Sequence, residues 1–240
     1  MDGITFGPPI LILANGIYND VVKVGSTFRM VYNSIDQQQI RLAISIDGVN
    51  FIDSGELVSV GSSGEWDDNL LADPSEIKVG STYYLFYGGE NTATGEFAIG
   101  LATSVTGRSG SYQKHGTVIT KSVSGFQSVG VFDADVFEYD IGKYMMFYTG
   151  FDRASQRATY ATSTDLLHWT ISGVELYWIS QAWEQDATYG PNEPSVLIEG
   201  GTYKVWYRGN AGGILPDHIG FLTIMQHPIT KEPEPGTSKH

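Results

Sequence analysis

Four times along this chain an aromatic, strand-like segment ends in Tyr followed by small or turn-forming residues: FRMVYNS, YYLFYGG, YMMFYTG and YKVWYRG. The tyrosines are Tyr32, Tyr87, Tyr148 and Tyr207, spaced by 55, 61 and 59 residues. An acid opens the apolar segment before each of them, 12, 14, 13 and 14 residues upstream, at Asp20, Asp73, Asp135 and Glu193. A repeat of this period in an all-strand pattern predicts a radial array of four-stranded antiparallel blades, a β-propeller with four repeats visible. In such an array the start of every first strand reaches the central axis. The reading therefore predicts that the four acids meet there.

Each unit is predicted to begin with a short apolar strand and a tight turn at Gly25-Ser26, Gly80-Ser81, Ile141-Gly142 or Gly200-Gly201. Glycine is what such hairpin turns require. The aromatic strand follows, then a third strand with small residues, LAIS (42–45), LATS (101–104), YATS (160–163) and FLTI (221–224). Small side chains there let neighbouring blades approach closely. Three units continue into a fourth strand, and the last does not. The opening segment ITFGPPILI has the missing strand's pattern, so an N-terminal strand at Ile4–Ile12 is expected to close the last blade and cover its open edge.

At 240 residues the chain can bury a large core as one domain, expected over 1–231, with the Pro-rich, charged 232–240 as a disordered tail. The absence of cysteine rules out disulfides and thiolate metal sites. With 14 Lys plus Arg against 27 Asp plus Glu, the net charge is −13 and no basic cluster interrupts it. Nucleic acid is therefore excluded as a partner, because phosphate neutralisation needs a basic stripe. No apolar run is long enough to predict a membrane-spanning helix. The start has an acid where a signal peptide needs basic residues, so no export signal is read, which leaves the compartment and the oligomeric state open.

The acid-opened first strand, the "G-x-Y-x-h-h-Y" strand and the "I-G-L-A-T-S…W" segment resemble the propeller glycosidases of glycoside hydrolase families 43 and 32 and their relatives. That family has five blades, and the resemblance covers nearly the whole chain. It implies a base or nucleophile on the first blade, a helper Asp about two blades later and a general-acid Glu one blade beyond. Tyr18-Asn19-Asp20, Phe132-Asp133-Ala134-Asp135 and Asn192-Glu193-Pro194 resemble these three elements. The resemblance thus implies Asp20 as base or nucleophile, Asp135 as the orienting acid and Glu193 as proton donor. The fifth blade's basic or His residues have no counterpart.

Glycoside cleavage needs one carboxylate ionised and another protonated near neutral pH, and crowded axial carboxylates push one another's pKa values apart. Asp73, in its own Asp-Pro dipeptide, is the fourth acid of the set and is read as substrate-binding. Tyr18, Trp66, Phe132, Trp183 and Tyr189 are candidates to stack on sugar rings, and Arg208 to contact substrate. An acid present in every unit has a second reading, as a scaffold device that caps backbone N–H groups at the blade entrance. Carbohydrate is the expected partner, acted on by a glycosidase or phosphorylase or bound by a surface propeller without chemistry. Four axial acids also suit a structural Ca²⁺ held by oxygen ligands.

Overall fold

The computed structural model describes residues 11–152, 154–176, 192–199, 201–209 and 218–225. Among them there is no helix, and fifteen strands form four consecutive antiparallel meanders. The first comprises β1 (Gly16–Val24), β2 (Thr27–Ser34), β3 (Gln39–Ser45) and β4 (Ile52–Ser59). The second comprises β5 (Leu70–Val79), β6 (Thr82–Glu90), β7 (Phe97–Ser104) and β8 (Gln113–Ile119). The third comprises β9 (Gly130–Asp140), β10 (Lys143–Phe151), β11 (Gln156–Ser163) and the short β12 (Thr170–Ile171). The fourth is β13 (Asn192–Glu199), β14 (Thr202–Gly209) and β15 (His218–Met225). The expected N-terminal strand lies outside the described residues, apart from Leu11 and Ile12.

The first-to-second strand turns fall where glycine permits a left-handed backbone. The pairs Val24↔Thr27, Val79↔Thr82 and Asp140↔Lys143 each enclose two residues, with Gly25, Gly80 and Gly142 at φ 62°, 59° and 68°. The small-residue segment has a second role beyond packing. Ser45, Ser104 and Ser163 each accept, at 2.9 Å, the backbone N–H three residues on, from Gly48, Gly107 and Leu166, and so shape the turn into the fourth strand.

Successive meanders pack face to face, which explains the unbroken apolar runs of the aromatic strands. On β6, Leu85 and Tyr87 join Val31, Ile40 and Leu42 of the first meander, while Phe86 joins Val131, Val136 and Met146 of the third. On β10, Met145 and Phe147 turn instead to Tyr203 and Val205 of the fourth meander. Strands buried on both faces read as continuous hydrophobics, and β14, with alternate residues buried, does not. Ala43, Ala102 and Ala161 are fully buried, as the close approach of neighbours requires.

One buried ion pair ties the first meander to the second. Arg29 Nε and Nη2 donate to Glu76 at 2.6 and 3.0 Å, Nη2 also reaches the Gly107 carbonyl at 2.9 Å, and the guanidinium lies over the Tyr83 ring.

Candidate active site

The four first strands converge on one axial cavity, and each is bulged where it arrives. The ladder register breaks at Ile17/Asn19 in β1, at Ala72/Ser75 in β5, opposite Phe147/Thr149 in β9 and at Asn192/Ser195 in β13. One residue in each bulge is left-handed: Tyr18, Asp73, Asp133 and Glu193, at φ 46°, 45°, 55° and 49°. These are four of the six non-glycine residues with positive φ among the described residues, so unusual backbone is concentrated at this one place. A bulge re-aims a side chain, here toward the mouth of the funnel. Pro74 and Pro194 follow Asp73 and Glu193, where the ladder is already interrupted and needs no N–H.

The four acids expected to be equivalent therefore occupy two levels. Asp73 and Glu193 stand at the bulge, while Asp20 and Asp135 stand two residues further in, at the level of Ser75 and Ser195. The level below the bulge is a series of links between meanders. The backbone N–H of Glu76 donates to Asp20 Oδ2 at 2.8 Å, that of Val136 to Ser75 Oγ at 3.1 Å, and that of Val196 to Asp135 Oδ2 at 2.5 Å. Each of the first three meanders thus offers a side-chain oxygen to the same backbone position of the next. Burial pushes the Asp20 carboxyl up to about 6, against the N–H of Glu76 that favours its charge. Burial and the charge of Asp20 push Asp135 up to about 8.

The bulge level is different. Its residues line a mouth cavity of about 290 Å³ together with Phe97, Phe132, Gln156 and Arg208, and they also line an axial cavity of about 190 Å³. Burial raises Asp133 well above the ordinary carboxyl range, and the neighbouring Asp73 and Glu193 raise it further. Asp133 is only 8% exposed, and its Oδ2 has no donor within reach. Burial likewise pushes the carboxyl of the neighbouring Asp73 up to about 6. Glu193 pairs instead with Arg208, whose Nη1 donates to Oε1 at 2.5 Å, and the Glu193 backbone N–H donates to Thr149 Oγ1 at 3.1 Å. Tyr18, half-exposed at the rim, has its phenol raised by burial and then by Asp73 and Glu193.

Of the residues singled out in the sequence, Tyr18, Asp20, Asp73, Phe132, Asp135, Glu193 and Arg208 come together at these two cavities. Trp66 does not: it lies against Gly89 and Gly100 and lines a separate groove on the second meander. Trp183 and Tyr189 lie outside the described residues. Asp133, Gln156 and Gln37 line the mouth without having been selected, although Asp133 sat two residues from a chosen acid. No group of three or more His, Asp or Glu side chains among the described residues is arranged to hold a metal ion.

Comparison with known proteins agrees with this architecture. A thermostable family-43 glycoside hydrolase superposes with a TM-score of 0.76 at 18% identity, over 93% of this chain and 73% of that one. The α-L-arabinofuranosidase of Lactobacillus brevis gives 0.73 at 14% identity, over 90% and 69%. The Bombyx mori GH32 β-fructofuranosidase gives 0.67 at 12% identity, over 91% and 47%. These likenesses show the fold, a β-propeller. In sequence, a probable arabinan endo-1,5-α-L-arabinosidase A of Aspergillus flavus is 36% identical over 89 residues, which is 37% of this chain and 26% of that protein. The match therefore spans about a quarter of that relative. The profile of glycoside hydrolase family 130, described as beta-1,4-mannooligosaccharide phosphorylase, matches residues 3–212, and the chain belongs to that family.

Proposed function

We propose that this protein cleaves a glycosidic bond of a short oligosaccharide at the mouth formed by Asp73, Asp133 and Glu193. The observation that carries this reading is that three successive meanders present a carboxylate from the same left-handed bulge to one cavity. Burial raises the carboxyls of both Asp133 and Asp73, so in this reading the pair holds one proton between them, while Glu193 is charge-paired with Arg208. Asp73, the more open of the pair, protonates the departing sugar oxygen and is resupplied by Asp133. Glu193 holds Arg208 at the mouth, and the pair positions the attacking group on the other side of the bond, the guanidinium receiving it when it is an anion. This division supplies the protonated and ionised carboxylates that glycoside cleavage demands.

In this reading Asp20 and Asp135 hold meanders together, and the chemical roles expected for them pass to Asp73 and Asp133. Tyr18 and Phe132 wall the sugar site. The segment before Leu11 supplies the missing outer strand of the fourth meander beside β15. The family description favours a β-1,4-mannooligosaccharide with phosphate as the attacking group. The test is incubation with mannobiose to mannohexaose and with arabino-oligosaccharides, each with and without inorganic phosphate. A phosphate-dependent sugar phosphate is expected. Release of free sugar without phosphate would make the protein a hydrolase, and no cleavage of any member would overturn the reading.

A further inference from the structure

Beside the mouth, on the second meander, lies a groove of about 370 Å³, larger than either cavity at the axis. Trp66, Phe97 and Ala98 form its apolar part, and Thr94, Thr117 and Thr120 stand around it. The indole of Trp66 is fixed from behind: a Cβ at Gly89 or Gly100 would stand 2.5 or 2.3 Å from the ring, and Tyr87 packs at a centroid distance of 5.3 Å. It nevertheless stays part-exposed as a wall of the groove. The Thr94 hydroxyl is used within its own turn, but Thr117 and Thr120 are exposed strand and loop residues. The charged members, Glu96 and Lys121, form an ion pair with each other, so the groove favours a neutral ligand.

The groove and the mouth are separate cavities that share one wall residue. Phe97 lines both, and it is held in place by its parallel pairing with Gly130, where a Cβ would meet Phe97 Cβ at 2.8 Å. Its ring lies 5.6 Å from that of Phe132 in the mouth. An aromatic wall packed from behind, exposed threonine side chains beside it and charges paired with each other are the chemistry that recognises a sugar ring.

We propose that this groove is a distal subsite, holding sugar residues of an oligosaccharide whose scissile bond lies in the mouth, with Phe97 as the step between the two. The inference rests on the reading under Proposed function. It is tested by kcat/KM across the mannose series of two to six residues, for the wild type, Trp66→Ala and Thr117→Tyr. Thr117→Tyr fills the groove from an exposed strand position and leaves the core intact. The wild type should gain tenfold or more on lengthening the substrate from two to four residues, and both variants should lose most of that gain. A flat wild-type series, or an undiminished gain in Thr117→Tyr, would overturn the subsite. If the wild type cleaves nothing, calorimetric titration with mannotetraose decides separately. Binding weakened at least threefold by Thr117→Tyr supports the groove, and no binding or equal binding overturns it.

Discussion

The backbone N–H of Val196 in the fourth meander donates to Asp135 Oδ2 in the third at 2.5 Å, so a carboxylate at the axis joins two blades. The same carboxyl is pushed up to about 8 by burial and by Asp20, from an ordinary value of 3.8. Between those two pH values the folded state holds a proton that the unfolded chain has released. The stability Asp135 contributes is therefore full below its unfolded value and is lost as pH rises through about 8. Asp135→Asn keeps an acceptor for Val196 and never charges, so its melting temperature should match or exceed the wild type at pH 8. Asp135→Ala orphans the N–H and should cost about 1–3 kcal/mol. Melts of the three proteins from pH 4 to 9 check this; equal damage from Asn and Ala would contradict it.

Ser75 and Ser195 hold the same position in two different meanders. Ser75 Oγ accepts from Val136 N–H at 3.1 Å, whereas Ser195 is exposed. Ser75→Ala should cost about 1 kcal/mol or more, and Ser195→Ala should stay within about 0.5 kcal/mol. Urea denaturation of the two variants gives the comparison.

Arg29 and Glu76 are both buried, and removing one partner leaves a charge without compensation. Arg29→Leu is expected to destabilise by about 3–5 kcal/mol. The double variant Arg29→Leu/Glu76→Leu should recover a large part of that loss. Denaturation midpoints of the single and double variants test it.

Gly100 leaves its space to the Trp66 ring. Gly100→Ala should therefore cost about 1–3 kcal/mol by overpacking, and Trp66→Ala should relieve part of that cost in combination. A double-mutant cycle measures the coupling.

The blades and their turns were legible because glycines mark the hairpins and the aromatic strand repeats, with Tyr87 and Tyr148 fully buried at its end. The level of each acid was not, although the offsets of 12, 14, 13 and 14 residues already differed. Counted back from the hairpin, Tyr18, Asp73 and Glu193 each lie six residues before the last paired residue of the strand. Asp133 lies seven before it, because β9 carries an extra residue between its Glu138 and Asp140 pairings. A two-residue step keeps a side chain on the same face of a strand, so Asp133 and Asp135 read alike in pattern. Only the bulge separates them. Tyr18 was found beside an acid that it displaces from the mouth. Trp66 had an aromatic's promise without any pattern to say that two glycines would draw it off the axis.

The proposed division of labour gives the chemistry to the bulge level and leaves the level below to hold the meanders together. The most direct test is kcat/KM on the best oligosaccharide for Asp73→Asn, Asp133→Asn and Glu193→Gln against Asp20→Asn and Asp135→Asn, all at a temperature where every variant is folded. Losses of about 10²–10⁴-fold are expected in the first three and of less than about tenfold in the last two, whose Asn oxygens still accept the inter-blade N–H groups. Loss of activity in Asp20→Asn or Asp135→Asn with Asp73→Asn left active would contradict it.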